Sequence, residues 1–111
     1  MHINAMVDDC AEDTKSWFPH VYGDRVSSLV HHALGLCGEA GEFANIVKKI
    51  DRGDLPFAGT AQDSLQEELV DVLIYVCTLA DILGMNLAEG YNRKKDINRR
   101  RFGANSNHPA H

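Results

Sequence analysis

The fold is decided by the stretch LGLCGEAGEFANIVKK, residues 34–49, in which acidic side chains interrupt an apolar helical pattern. Glu39 and Glu42 are three positions apart, and a helix advances about 100° per residue, so both carboxylates lie on one face about one turn apart. The apolar stripe predicted to face the core consists of Leu29, Ala33, Leu36, Ala40, Phe43 and Val47. The neighbouring stripe contains His32, Gly35, Glu39, Glu42 and Ile46. The acidic pair is therefore expected to flank the core.

A second stretch, LQEELVDVLIYV at residues 65–76, repeats the arrangement with Glu68 and Asp71. Several ionised carboxylates at the edge of a core are costly unless a positive charge compensates them. Ligand sets made only of oxygen favour hard cations, and a site completed by water and substrate phosphates favours Mg²⁺. The two acidic pairs therefore predict a Mg²⁺ site for a phosphate-bearing substrate.

Three glycines, Gly35, Gly38 and Gly41, lie close together in the first acidic stretch. Each of them weakens a helix by up to about 1 kcal/mol relative to alanine. Close approach of another helix or of a ligand is the physical reason that we predict for them.

Capping and breaking residues divide the chain into four predicted helices. These helices span residues 3–18, 25–51, about 60–83 and 87–101. Their ends are marked by Asp24 and Asn86 as N-caps, by Pro19 as a stop, and by Gly53, Gly84 and Gly103 as C-terminal signals. No strand pattern of useful length is present, so the prediction is an all-α bundle. We expect a single helical domain over residues 1–103 and a disordered polar tail over residues 104–111.

Composition limits the class of protein. With 111 residues the chain is expected to form one domain. A formal net charge of −5 and the absence of a long basic run argue against nucleic-acid binding, which needs a cationic surface. The opening residues carry acids where a signal peptide has a hydrophobic region, and Asp71 and Asp81 break the apolar stretch 69–83. We therefore predict a cytoplasmic protein with no membrane span.

The cysteines, Cys10, Cys37 and Cys77, are odd in number and widely spaced, and they form no CxxC motif. Cys37 and Cys77 have apolar neighbours in the sequence. Buried, reduced thiols are therefore expected at both positions.

Over residues 25–103 the sequence resembles the MazG-like members of the all-α NTP pyrophosphohydrolase superfamily. That superfamily also includes dimeric dUTPases, dCTP pyrophosphatases and phosphoribosyl-ATP pyrophosphatases. The resemblance rests on an E-x-x-E motif followed, after a loop, by E-x-x-D. The motif residues here are Glu39, Glu42, Glu68 and Asp71. The segment GYNRKKDINRRRFG, residues 90–103, is similar to the family's Asn-x-x-Lys helix end. Some members carry two adjacent glutamates where this chain has Gly38 before Glu39, so the number of metal ions stays open.

The resemblance implies a four-helix bundle of the MazG-like type, assembled as a dimer or tetramer. It also implies Mg²⁺-dependent hydrolysis of a nucleoside triphosphate between its α and β phosphates, which gives the monophosphate and pyrophosphate. The four motif acids would then be both metal ligands and catalytic residues, with Mn²⁺ as a substitute for Mg²⁺. Glu39 or Glu42 is the choice for a general base toward the attacking water. The preferred base, and ribose against deoxyribose, stay open.

Basic and amide side chains are candidates for substrate binding. The resemblance assigns Asn92 and Lys95 to phosphate oxygens and a sugar hydroxyl, and Arg99 lies on the same stripe of the fourth helix. Lys49, two turns beyond Glu42, is a further candidate for a phosphate contact. The rival interpretation for these cations is compensation of the helix dipole.

His32 and Trp17 are candidates for contacts with the nucleobase. His32 lies two turns before Glu39 and is placed to read a base edge, while the alternative is a hydrogen-bonded histidine inside the bundle. Trp17 and Phe18 are suited to stacking on a base, and the alternative is packing of the first helix end against the bundle.

The sequence also bears on other classes of helical protein. A di-iron carboxylate bundle requires Glu-x-x-His pairs, and no glutamate in this chain has a histidine three residues later. A helical nucleotide-sensing or dimerisation module that binds without turnover stays open. Within the enzyme class, another pyrophosphate-linked nucleotide, such as phosphoribosyl-ATP or a hyperphosphorylated guanine nucleotide, stays open as the substrate.

Overall fold

The computed structural model describes residues 2–19 and 23–103. Its helices are α1 (Ile3–Trp17), α2 (Arg25–Asp51), α3 (Thr60–Leu83) and α4 (Leu87–Asn98). The predicted all-α fold is confirmed. The predicted helix boundaries are confirmed too, except that α1 ends at Trp17, one residue earlier than predicted, and that the last predicted turn of α4 is a π-helical turn over Arg99–Gly103. The predicted tail over residues 104–111, and residues 20–22 of the linker before α2, lie outside the described residues.

The predicted end signals act as expected. Asp24 Oδ2 accepts a hydrogen bond from the Ser27 backbone N–H at 3.0 Å, and Asn86 Oδ1 accepts one from the Glu89 N–H at 3.1 Å. Gly84 ends α3 with a φ of +66°, a left-handed conformation that favours glycine. Local sequence chemistry therefore sets where α2 and α4 begin and where α3 ends.

The central helix is α3, which packs against α1 on one side and α2 on another. It runs antiparallel to α2, because Gly35 lies beside Tyr75 while Glu39, further along α2, meets Glu68, which is earlier in α3. The C-terminal end of α1 thereby reaches the same part of α3 as the middle of α2. This convergence of three helices positions the site described below.

Hydrogen bonds with Asn4 connect the start of α1 to the start of α4. Asn4 Nδ2 donates to Asn86 Oδ1 at 3.0 Å, and the Ala88 backbone N–H donates to Asn4 Oδ1 at 3.2 Å. Beyond its own π-helical turn, α4 packs mainly against α1. The four predicted helices are therefore present, but α4 does not cover the free sides of α2.

The core lies between α1 and α3. Its buried centre is formed by Val7, Cys77 and Ala80, and the partly buried residues packed around it are Ile3, Met6, Cys10, Leu73 and Leu87. Lys15 and Asp81 form an ion pair of 3.3 Å at its edge. The prediction of a buried thiol is confirmed for Cys77, whereas it is wrong for Cys37, which is exposed.

The face of α2 that points inward agrees only in part with the predicted one. Of the stripe expected to face the core, three residues are half-buried, namely Leu29, Leu36 and Phe43, and the other three, Ala33, Ala40 and Val47, are exposed. The inward face instead carries the stripe that was expected to flank the core, with His32 buried and Glu39 half-buried. The reason is that α2 has apolar residues on more than one side, so its periodicity alone does not select the side that meets α3.

The opposite side of α2, which we call the outer face, is apolar and exposed. It consists of Val26, Val30, Ala33, Leu34, Cys37, Ala40, Gly41, Ala44 and Val47. Leu34 is 68% exposed and Val26 is 67% exposed. Continuous apolar surfaces of this kind are typical of contacts with another chain.

The exposed apolar surface continues onto α3. Leu69, Val70 and Ile74 remain exposed because α1 covers only the C-terminal half of this helix. No helix within the described ranges combines the length and the hydropathy needed to cross a membrane.

Of the three clustered glycines, Gly35 is the one that another helix approaches closely. A Cβ built on Gly35 would lie 2.5 Å from Tyr75 Cζ and 2.8 Å from Tyr75 Oη, so α3 approaches α2 through this ring. Gly38 and Gly41 have open space within 4 Å of a built Cβ. The prediction of close approach is confirmed for Gly35. At Gly38 and Gly41 no described part of the chain approaches the backbone, and approach of a ligand there stays a prediction.

Candidate metal and nucleotide site

Three carboxylates from two helices converge between α2 and α3. Glu39 and Glu42 extend from consecutive turns of α2, and Glu68 extends from α3. One carboxylate oxygen of each lies within 4.8 Å of the other two. The antiparallel pairing of two helices that each carry acids at i and i+3 produces this cluster.

Among the described residues, no cation forms an ion pair with the carboxylates of this cluster. Glu39 Oε2 and Glu68 Oε2 are both buried, and neither has a hydrogen-bond partner when both groups are ionised. A shared hydrogen bond with Glu39, followed by desolvation and the neighbouring Glu42, raises the pKa of Glu68 from 4.5 to about 7. The three carboxylates therefore need either a retained proton or a bound cation.

The donor set fits a hard divalent cation. Hard cations such as Mg²⁺ and Ca²⁺ bind carboxylate oxygens at about 2.0–2.6 Å, so two oxygens on opposite sides of one ion are about 4–5 Å apart. The spacing of up to 4.8 Å among the three oxygens is compatible with this geometry. The two buried oxygens without donors are the atoms whose desolvation a cation would offset.

A cavity of about 400 Å³ adjoins the cluster. The residues that line it are Thr14, Phe18, His31, His32, Glu39, Asp71, Ile74, Tyr75 and Thr78. The acidic residues Glu39 and Asp71 lie at one end of the cavity. Glu39 follows His32 on α2, and Asp71 precedes Tyr75 on the antiparallel helix α3, so both acids are displaced in the same direction from the aromatic residues by one or more helical turns. The cavity therefore has an acidic end and an aromatic end.

A family model, the MazG nucleotide pyrophosphohydrolase domain, matches residues 28–101. This chain belongs to that family. The match contains α3 and α4 and nearly all of α2, so both acidic pairs lie within it. The predicted resemblance is confirmed, and with it the assignment of the chain to a family of nucleotide pyrophosphohydrolases.

Individual relatives agree with the family model. The gene 37 protein of Mycobacterium phage L5 is 46% identical over 66 residues, which cover 59% of this chain and 58% of the phage protein. The human dCTP pyrophosphatase 1 is 42% identical over 74 residues, which cover 64% of this chain and 44% of that enzyme. The Bos taurus dCTP pyrophosphatase 1 is 40% identical over 72 residues, which cover 62% of this chain and 43% of that enzyme. The chain thus spans about half the length of these relatives. No solved structure gives a significant match.

The fourth predicted acid of the MazG domain has a distinct position. Asp71 lines the cavity together with Glu39, but the close group of carboxylate oxygens comprises Glu39, Glu42 and Glu68. Asp71 also borders a second, open cavity of about 520 Å³ together with Asp63, Gln66, Glu67 and Val70. The structure therefore brings three of the four predicted acids together and places the fourth on the cavity wall.

His32 is a buried, hydrogen-bonded histidine that also lines the cavity. It is 3% exposed, and its Nδ1 lies 2.7 Å from the Ser28 carbonyl oxygen, as expected of a hydrogen-bonded histidine inside the fold. It also lines the cavity of the MazG domain together with Glu39, and its ring meets Tyr75 edge-on at 5.9 Å between centroids. A role in substrate binding remains a prediction.

The two aromatic residues at the end of α1 are separated by the structure. Phe18 lines the cavity, whereas Trp17 does not line it and is 67% exposed. The alternative in which both pack the helix end against the bundle is therefore wrong for Trp17 in this chain. Base stacking by Trp17 remains a prediction.

The predicted basic and amide contacts lie away from the acids within one chain. Among the described residues that line the cavity, none comes from α4, which carries Asn92 and Lys95, or from the following Arg99. Lys95 Nζ instead lies 5.7 Å above the Tyr91 ring. Lys49 is half-buried near the end of α2 and is likewise absent from the lining. Their proposed contacts with substrate remain predictions.

Several lining residues were not predicted as site residues. Tyr75 follows Asp71 by four positions on the acidic stripe of α3, so helical spacing alone was sufficient to find it. Thr14 comes from α1, and no local pattern indicates that the end of α1 meets α3 here. Sequence spacing therefore identifies lining residues on a helix that already carries acids, and it misses those on a helix that does not.

Proposed function

We propose that this protein is a Mg²⁺-dependent pyrophosphohydrolase that cleaves a nucleoside triphosphate between its α and β phosphates. One observation carries the proposal. Three glutamate carboxylates lie within 4.8 Å of one another beside a cavity of about 400 Å³ that has an acidic end and an aromatic end. The acidic end suits a metal-bound triphosphate, and the aromatic end suits a nucleoside.

The chemistry of the acidic end follows from its carboxylates. A divalent cation held by Glu39, Glu42 and Glu68 would neutralise phosphate oxygens and make a water more acidic. Asp71, on the wall beside Glu39, is proposed as a fourth ligand, either direct or through water. A carboxylate that does not contact the ion is placed to accept the proton of the attacking water, and Glu39 or Glu42 is our choice for this role.

The aromatic end is proposed to hold the nucleoside. Phe18, Tyr75 and His32 offer flat faces or ring edges to a base and sugar. Because two of the relatives are dCTP pyrophosphatases, dCTP is the first substrate to test. Exposed Trp17, one residue before Phe18, is proposed to close over the base when it is bound.

A second copy of the chain is proposed to complete the site. The outer face of α2 leaves large apolar side chains exposed, among them Val30 at 53% and Leu34 at 68%. Burial of such residues stabilises association by about 25 cal/mol for each Å² of apolar surface removed from water. In a dimer or tetramer, Asn92, Lys95, Arg99 and Lys49 of one copy are proposed to reach the phosphates held by another. Light scattering that finds only monomers at micromolar concentration would contradict this assembly.

The test of the function is pyrophosphate release from a panel of NTPs and dNTPs, with Mg²⁺ and with EDTA. We expect Mg²⁺-dependent turnover that is strongly reduced in Glu68→Gln. The matched control is Glu67→Gln, which changes the preceding residue, an exposed glutamate outside the carboxylate cluster, and should retain activity. Release of inorganic phosphate alone would contradict cleavage between the α and β phosphates. Nucleotide binding without turnover would favour a sensing module instead.

A further inference from the structure

The Tyr75 ring rests on α2 at a position where only glycine leaves room for it. A Cβ built on Gly35 would lie 2.5 Å from Cζ and 2.8 Å from Oη of Tyr75, and Cβ atoms essentially never approach other heavy atoms closer than 3.0 Å. A Cβ is fixed to the helix backbone, so the ring would have to move. By contrast, Gly38 on the same helix has nothing within 4 Å of a built Cβ.

A second contact holds the ring from the side. The Tyr75 ring meets His32 edge-on, with 5.9 Å between the ring centroids and an angle of 64° between their planes. His32 is 3% exposed, and its Nδ1 lies 2.7 Å from the Ser28 carbonyl oxygen, so its own ring is fixed on α2. One side of α2 therefore forms a seat for Tyr75, and we call Gly35 and His32 the Tyr75 seat.

Gly35 of the Tyr75 seat lies about one helical turn from an acid on α2, and Tyr75 lies about one turn from an acid on α3. Gly35 precedes Glu39 by four residues on α2, and Tyr75 follows Asp71 by four residues on α3. One helical turn is about 5.4 Å, so the ring lies within reach of a molecule that is also held by the acids. Tyr75 lines the same cavity as Glu39 and Asp71. The ring thus forms part of the cavity wall next to the acidic end.

We propose that Gly35 is a positioning residue, which acts through Tyr75 to fix one wall of the nucleotide cavity and so determines how tightly the substrate is held. This inference rests on the proposed function. Gly35 touches neither the metal nor the phosphates in this arrangement. Its loss should therefore raise KM and leave kcat nearly unchanged, because the carboxylates keep their places.

The experiment is a double-mutant cycle of wild type, Gly35→Ala, Tyr75→Leu and the double variant, with Gly38→Ala as the matched control. Each protein is assayed for KM and kcat in Mg²⁺-dependent pyrophosphate release, and for unfolding in urea. We expect Gly35→Ala to raise KM about tenfold and to change kcat less than about threefold. In the Tyr75→Leu background the same glycine substitution should have no further effect on KM, since the ring with which a Cβ collides is gone. Gly38→Ala should leave KM unchanged.

The possible outcomes distinguish a failure of the proposed contact between Gly35 and Tyr75 from a failure of the proposed enzymatic activity. If Gly35→Ala does not fold but the double variant does, Tyr75 is the obstacle and the seat is supported; if neither folds, the seat is overturned. An increase in KM that persists undiminished without the Tyr75 ring overturns the proposal, as does a loss confined to kcat. A wild type without pyrophosphate release overturns the proposed function and the positioning role with it. The urea cycle then still reports whether Gly35 and Tyr75 are coupled.

Discussion

The two faces of α2 reverse the usual distribution of side chains on a helix. The inward face, which meets α3, carries the buried His32 and the half-buried Glu39, whereas the outer face exposes apolar residues such as Val26 and Leu34. A helix that only supports a core places its apolar stripe inward and its charges outward. The difference supports the proposals that the inward face binds a cation and that the outer face meets a second copy of the chain.

The largest effect is expected from a change on the inward face. Glu39→Gln removes a negative charge from the cluster and should lower the rate of pyrophosphate release roughly 1,000-fold, as expected when a metal ligand is lost. The same variant should lose the increase in thermal stability that Mg²⁺ gives the wild type. Calorimetry with and without Mg²⁺, together with the assay, measures both.

The control for this prediction is Asn45→Gln, at an exposed polar position of α2. It should keep both the activity and the response to Mg²⁺. If Glu39→Gln is still stabilised by Mg²⁺ to the same extent as wild type, then the cation binds elsewhere and the interpretation of the inward face is wrong.

A smaller effect is expected from a charge on the outer face. Leu34→Glu places a carboxylate in the middle of the apolar surface that is proposed to meet a second copy. The dissociation constant of the oligomer should rise roughly 100-fold, because an unpaired charge would be buried on association. Sedimentation or light scattering over a range of concentrations measures this change.

Phe57→Glu is the matched control, because Phe57 is 66% exposed, almost the same as Leu34, but lies in the connection between α2 and α3. Equal weakening by both substitutions would mean that exposed apolar area in general, and not the outer face, drives association. No weakening by Leu34→Glu would remove the outer face as an interface.

The features of the fold that depend on local chemistry could be predicted from the sequence. Helix ends follow from local chemistry, so Asp24, Asn86 and Gly84 located them correctly. The acids of the two motifs lie at i and i+3 on neighbouring helices, and this spacing was sufficient to bring Glu39 and Glu68 together.

What the sequence could not decide was which apolar side of α2 meets α3. Ala33, Ala40 and Val47 have the right period for a core and are exposed, because a period reveals a stripe and not its partner. For the same reason Thr14 appears in the cavity without a signal, since contacts between α1 and α3 depend on tertiary packing.

The acidity of the inward face predicts a dependence of stability on pH. The pKa of Glu68 is raised from 4.5 to about 7, first by its hydrogen bond with Glu39. A carboxyl with a raised pKa in the folded state stabilises the fold fully below pH 4.5, and this contribution is lost as the pH rises through about 7. Metal-free protein should therefore become less stable over this range. The effect should be smaller than the two above, because Glu68 is only half-buried and Glu42 is exposed, so that solvent screens part of their charge.

Urea unfolding at several pH values, with EDTA and with Mg²⁺, measures this dependence. Above pH 7 the addition of Mg²⁺ should restore the lost stability, since a cation takes over the role of the proton. In Glu68→Gln the dependence between pH 4.5 and 7 should be much weaker. A wild type whose stability rises over this range in EDTA would contradict the prediction.

The smallest effect compares two glycines of α2 that have open space around them. Gly41 belongs to the outer face and Gly38 lies to one side of it, and a Cβ built on either meets nothing within 4 Å in the single chain. Gly38→Ala should raise the free energy of unfolding by up to about 1 kcal/mol through helix propensity alone.

Gly41→Ala should give the same gain in dilute, dissociated protein, but a second copy packed closely on the outer face would collide with the new methyl group. The gain at Gly41 should therefore shrink as protein concentration rises, whereas the gain at Gly38 should not change. Equal gains at every concentration would mean that no partner approaches the backbone of α2 at Gly41, and that the outer face meets its partner only through its larger side chains.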